Sequence, residues 1–179
     1  MNFDQSLFTA IYSLANHSGI LDAAAIFIGR ILPWLLIIVV LTKLLSVKNW
    51  RVRFYNISHV FLSLILGVGL IGEAIQFFYY RPRPSLVLSI KSLIPVPGSP
   101  AFPSTHAIVF FALATILLFT SRTWGIWFFG FATAIGFARI FTGVHWPLDV
   151  LGGALIGVAS AYIVRKLLPP LSGYIVHDQ

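Results

Sequence analysis

Ile31-Leu32-Pro33-Trp34-Leu35-Leu36-Ile37-Ile38-Val39-Val40-Leu41 runs for eleven residues without a charge, an amide or a hydroxyl side chain. Outward from it, the apolar stretch reaches about residue 20 on one side and about residue 46 on the other. Asp22, Arg30 and Lys43 are its only charged members. About 30 Å of hydrocarbon demands roughly 17–25 residues of helix, and this stretch supplies them. Backbone polar groups in lipid must be satisfied within the segment, so the run is a helix. Four more stretches of the same character follow, over residues 54–79, 104–121, 124–142 and 147–168. The expected fold is all-α, a polytopic transmembrane bundle of five helices, or six if residues 3–16 also insert. The whole chain, 1–179, reads as one membrane-embedded domain.

Composition agrees. Of 179 residues, 58% are hydrophobic and 9% charged, against about 45–50% and about 25% in soluble domains. Twelve Lys and Arg against five Asp and Glu give a net charge of +7, on a chain with little polar surface to carry it. A soluble domain, a disordered tail and a free nucleic-acid binder are excluded. The expected partners are membrane lipids and a lipid substrate, not nucleic acid. No cysteine is present, so neither disulfides nor thiol chemistry enter. Met1-Asn2-Phe3-Asp4-Gln5 lacks the positive start of a removable signal peptide. Phe3, Leu7, Phe8, Ile11 and Leu14 recur at helical spacing, so residues 1–18 read as an amphipathic segment lying in the interface.

The cations give the orientation. Lys43, Lys48, Arg51, Arg53, Arg122, Arg165 and Lys166 fall on one side, which the positive-inside rule makes cytoplasmic. Arg81, Arg83, Lys91 and Arg139 fall on the other, against the rule. Charges placed against the topological bias point to a bound anion. The 80–103 connection, with Arg81-Pro82-Arg83-Pro84-Ser85 at its head, is the one long loop, and long loops in compact bundles carry function.

Three pieces of sequence meet on that outer side. Arg81-Pro82-Arg83-Pro84 leaves the second span in a stiff, extended form. Its guanidinium forks match phosphate oxygens, or else snorkel to lipid headgroups. Phe102-Pro103-Ser104-Thr105-His106 opens the third span. It reads either as a capped helix start or as an anion site at a helix N-terminus with a proton donor beside it. Arg139 closes the fourth span, and His145-Trp146-Pro147-Leu148-Asp149 opens the fifth. Asp149 at the third helical position reaches back as a cap, and is placed to accept from one nitrogen of His145 and fix its tautomer. Together these groups match the needs of phosphoryl transfer: cations on the oxygens, a nucleophile in line and an acid for the leaving group. Asp149 is the only acid in the three pieces, so no carboxylate cluster is expected to hold Mg²⁺. The chemistry is expected to use no metal and no cofactor.

These residues resemble the type 2 phosphatidic acid phosphatase superfamily. The family pattern is Lys-x6-Arg-Pro, Pro-Ser-Gly-His and Ser-Arg-x5-His-x3-Asp. This chain reads Gln76-x6-Arg83-Pro84, Pro103-Ser104-Thr105-His106 and Ala138-Arg139-x5-His145-x3-Asp149, spanning residues 76 to 149. Gln76 replaces the lysine, with Arg81 or Lys91 as candidates to compensate. Thr105 replaces the glycine and Ala138 the serine. The resemblance implies that His145 attacks phosphorus and forms a phosphohistidine, that Asp149 orients it and that His106 protonates the leaving group. It implies phosphate binding by Arg83, Arg139, Ser104 and the backbone near Thr105, with a six-helix core.

The expected function is a hydrolase of the bacterial cytoplasmic (inner) membrane, a lipid phosphatase with its site on the extracytoplasmic side. By resemblance to undecaprenyl-diphosphate phosphatases, the expected substrate is a polyprenyl diphosphate. Phosphatidylglycerophosphate, phosphatidic acid and the 1-phosphate of lipid A share the chemistry. A lipid-to-lipid phosphotransferase uses the same motifs, and a non-catalytic transporter or scaffold is the reading from another class. Glu73, inside the second span, is expected to pair with Arg30, Arg81 or Arg83. His59 reads as a hydrogen-bonded core residue, and His17 and His177 lie in polar or terminal settings.

Overall fold

The computed structural model describes residues 3–168, so His177 lies outside the described residues. Seven helices account for the fold, and no strand occurs among the described residues. They are α1 (Phe3–Tyr12), α2 (Gly19–Ser46), α3 (Trp50–Phe78), α4 (Pro84–Val87), α5 (Thr105–Thr120), α6 (Arg122–Phe141) and α7 (Pro147–Leu167). Four of them, α2, α3, α6 and α7, are long and apolar enough to cross a membrane. The protein is an all-α membrane bundle.

The N-terminal segment, expected in the interface, and the expected third span are both short helices. The N-terminal segment forms ten helical residues, about 15 Å at 1.5 Å per residue, and does not span. The stretch 104–121 forms a helix of 16 residues, about 24 Å and short of about 30 Å of hydrocarbon. Its shortness follows from its position. Nine of its residues, from Ala107 to Leu117, are buried, because α5 runs through the middle of the bundle with α6 and α7 against it. A helix wrapped by other helices does not have to reach both headgroup layers itself.

Close packing depends on small residues. Phe110, Leu113 and Leu117 of α5 meet Phe128, Ala132 and Ile135 of α6, with Leu36 and Val40 of α2 closing the cluster. On the other flank, Gly153 and Gly157 of α7 lie four residues apart on one helix face. A Cβ at Gly153 would stand 2.6 Å from the Ser104 carbonyl oxygen, and one at Gly157 would strike the carbonyl of Ile108. This is the small-residue approach of membrane helices, where lipid supplies no hydrophobic drive to associate. It brings the first turn of α5 against the first turn of α7, and the Ser104 N–H donates to the Asp149 carbonyl at 3.0 Å.

Both long N-terminal helices carry π-helical stretches, Phe27–Ile31 in α2 and Ile65–Gly72 in α3. The helix order puts the turns at 47–49 and 121 and the end of α7 at one end of the bundle. The seven expected topology-setting cations cluster there, with Lys43 over the Trp124 ring and Arg165 over that of Phe119. The opposite end gathers α1, the 80–103 connection and the α6–α7 turn. That connection is pinned: Ala101 N–H donates to the Arg81 carbonyl, Leu93 N–H to Thr142, and the Tyr12 hydroxyl to Lys91.

Candidate active site

His145 sits in the α6–α7 turn, which Gly143 makes by adopting φ +82°. The side chain is buried. Its Nδ1 lies 3.0 Å from the Ala101 carbonyl oxygen, which can only accept, so the proton resides on Nδ1. That leaves a lone pair on Nε2, where the Arg83 Nη1 donates at 3.2 Å. Burial pushes the imidazole down to about 4; Asp149 opposes this, while Arg139 and Arg83 add to it. At neutral pH His145 is therefore uncharged, with Nε2 able to attack an electrophile.

Asp149 is fully buried and held at both oxygens. Its Oδ2 accepts from the Trp146 N–H at 2.8 Å, the expected cap, and its Oδ1 accepts from Arg81 Nη1 at 2.6 Å. The same Oδ2 lies 3.5 Å from His145 Nδ1. The tautomer thus rests chiefly on the backbone carbonyl of Ala101, with the carboxylate just behind it. Sequence spacing gives no hint of that carbonyl.

The two expected phosphate arginines differ. Arg83 is buried and saturated. Its Nε donates to the Ser99 carbonyl, Nη1 to the Val144 carbonyl and His145, and Nη2 to Ser99 Oγ and the Pro100 carbonyl. It locks the loop around the histidine. Arg139, also buried, makes one long bond from Nη1 to the Gly29 carbonyl in the π-helical part of α2. Its Nε has no partner, and neither does Ser104 Oγ. Ser63 and Ser85 hold the other two such atoms among the described residues. An unpaired buried donor costs about 1–3 kcal/mol, so each of these two is a candidate to meet an oxyanion. Ser104 makes no side-chain cap bond, and the first N–H groups of the helix it opens lack intrahelical partners. His106, the second residue of α5, is half-buried and within electrostatic reach of Arg139, His145 and Arg83.

Gln76, at the lysine position, donates from Nε2 to the Pro103 carbonyl at 3.3 Å and so steadies the turn before Ser104. Thr105, the first residue of α5, is exposed. Arg81 does not stand free for phosphate, because both its terminal nitrogens are ion-paired, with Asp149 and Asp4. Lys91 is exposed. The expected pairing of Glu73 is absent. Arg81 and Arg83 are fully engaged, and Arg30 and Glu73 are both exposed on different helices. His59 is buried with Nε2 3.2 Å from the Ala161 carbonyl, as a core histidine should be.

Asp4 is the residue that sequence reasoning missed. It shares a face of α1 with Phe8, both buried. An acid four residues before a core phenylalanine was the available signal. Among the described residues no three His, Asp or Glu side chains gather as a metal-binding group.

Residues 56–171 match the PAP2 superfamily. Undecaprenyl-diphosphatase BcrC of Bacillus subtilis is 30% identical over 98% of this chain and 90% of its own length. Lipid A 4'-phosphatase of Bacteroides thetaiotaomicron is 27% identical over 85% and 71%. The crystal structure of Aquifex aeolicus LpxE superimposes with a TM-score of 0.77 at 26% identity, covering 93% of this chain and 96% of that one.

Proposed function

The chain belongs to the PAP2 superfamily, and from that membership we propose that it is a membrane lipid phosphatase acting through a phosphohistidine on a polyprenyl diphosphate. The observation that carries this reading is a neutral, buried His145 with its proton held on Nδ1, within electrostatic reach of Arg139, whose Nε has no partner. A terminal phosphate held by Arg139 Nε, Ser104 Oγ and the first N–H groups of α5 presents phosphorus to Nε2. The N–P bond forms as the P–O bond to the lipid side breaks, and His106 gives a proton to the departing oxygen. Water then attacks the phosphohistidine, His106 takes a proton from it, and inorganic phosphate leaves with the Nε2 lone pair restored. Arg83 gives up its bond to Nε2 as phosphorus arrives while keeping its hold on the Ser99, Pro100 and Val144 carbonyls, and Asp149 stabilises the positive charge that develops on the ring.

The similarity to an undecaprenyl-diphosphatase over nearly the whole chain favours a polyprenyl diphosphate. The similarity to a lipid A phosphatase makes lipid A phosphates the second candidate. Phosphatidylglycerophosphate, phosphatidic acid and transfer to an acceptor lipid use the same atoms. The cation asymmetry supports an extracytoplasmic site in a cytoplasmic membrane. The donor set, arginines and a helix N-terminus with no carboxylate cluster among the described residues, supports a metal-independent reaction.

Phosphate release in detergent with EDTA, across diphosphate and monophosphate lipids, tests the reading. The expected result is release with EDTA present, fastest on the polyprenyl diphosphate. Activity that EDTA abolishes and Mg²⁺ restores would overturn the metal-free mechanism, and faster release from lipid A would overturn the substrate.

A further inference from the structure

The mechanism above leaves one buried ion-pair network unused. Arg81 bridges two carboxylates with one planar fork: Nη1 donates to Asp149 Oδ1 at 2.6 Å and Nη2 to Asp4 Oδ2. The other oxygen of Asp4 accepts the Leu148 N–H at 2.9 Å, across 144 positions of sequence. That N–H belongs to the first turn of α7, where no intrahelical partner exists. Asp4 is 4% exposed. It is carried there by α1, whose Phe8 packs on the Trp146 ring at 5.1 Å while Phe3 and Leu7 face outward. Arg81 lies over the same Trp146 ring, and the indole N–H donates to the Pro82 carbonyl.

We infer that Asp4 is a positioning residue for the reaction, setting through Arg81 the orientation of the Asp149 carboxylate beside His145. The inference rests on the nucleophilic reading of His145. A guanidinium held at one end by Asp4 offers Asp149 a single nitrogen. Asp149 then keeps Oδ2 for the Trp146 N–H and for the histidine. Without the Asp4 charge the fork is free to rotate and take both oxygens of Asp149 bidentately, the geometry arginine prefers with a lone carboxylate. Asp149 would turn away from Nδ1. The Leu148 bond ties the start of the catalytic helix to the same carboxylate, so α1 braces the site from outside the family motifs.

The test is a double-mutant cycle on the full chain in detergent, with kcat, KM and melting temperature read for each variant. Asp4→Asn should lower kcat about tenfold with KM within twofold, as expected for a catalytic group displaced by less than 1 Å. Asp4→Glu should stay within threefold of wild type. Asp4→Asn with Arg81→Gln should be no worse than Arg81→Gln alone, because Asp4 acts through Arg81. A folded Asp4→Asn with unchanged kcat would overturn the inference. So would a double variant showing the full product of the single effects, or a rise in KM at constant kcat. Asp4→Glu as impaired as Arg81→Gln would overturn it even where Asp4→Asn does not fold. His145→Ala separates premise from inference. If it still releases phosphate, the histidine reading fails and this inference with it. If it is inactive while Asp4→Asn is unimpaired, only the role of Asp4 fails.

Discussion

Among the four long spans, α2 and α3 are the more apolar pair, yet they bury less of themselves than α6, the least apolar of the four. In α3 the buried residues reduce to Val52, His59, Ser63, Gly67 and Gly72 along 29 positions. In α5, α6 and α7 the buried surface is built from Ala112, Ala114, Thr115, Ala132, Gly136, Gly153, Gly157, Ser160 and Ala161, among larger neighbours. A soluble protein would sort the four long spans the other way. In lipid, an apolar side chain gains nothing by moving from tails to protein, so packing density and polar contacts decide what lies inside. The three C-terminal helices pack closely enough to hold Ser104, Arg139, His145 and Asp149 in fixed relation. The long helices α2 and α3 leave most of their apolar surface exposed and reach the site through the Gly29 carbonyl and Gln76.

The contrast is most exposed to failure at Arg139, the buried arginine with a free donor. Arg139→Gln should lower kcat/KM by about 10²–10³-fold, the size of removing one oriented donor from a developing oxyanion; a loss below tenfold would remove it from the phosphate site. Next comes the packing itself. Gly157→Val pushes a side chain into the Ile108 carbonyl and should cost about 3 kcal/mol, read as a lower melting temperature in detergent. An unchanged melting temperature would mean that α5 and α7 are not closely packed. Third is pH. An ordinary histidine, at about 6.5, would be roughly 90% protonated at pH 5.5 and cost about tenfold in rate. His145, held down to about 4 by burial, stays neutral there. Once the ionisation of substrate and of the acid His106 is corrected for, kcat/KM should therefore fall less than twofold between pH 7 and 5.5. A tenfold fall lost in no other variant would contradict the burial of the ring. Smallest is the lipid-facing side: Leu70→Ala, on the exposed face of α3, should change stability by less than about 0.5 kcal/mol. A larger cost would mean that α3 is covered by something other than lipid.

Much of this was readable before the structure, for identifiable reasons. The apolar runs marked the helices because lipid demands length and composition. The three motif pieces declared themselves because charges are rare in this chain. The central position of α5 was hidden, since an apolar helix reads alike whether lipid or protein surrounds it. The partners of Glu73 were misread because an acid in an apolar span suggests a buried pair, whereas Glu73 lies on an exposed face. The Ala101 carbonyl that orients His145 is backbone, and no sequence pattern marks it. Asp4 escaped notice because its contacts, to Arg81 and Leu148, span 77 and 144 positions.

Direct capture of the covalent intermediate tests the central claim most directly. The protein is mixed with polyprenyl diphosphate labelled in its terminal phosphate, quenched within the first turnover and digested. Label should appear on the peptide carrying His145, stable to base and lost in mild acid, and be absent from His145→Ala. Label on any other residue, or full phosphate release by His145→Ala, would contradict it.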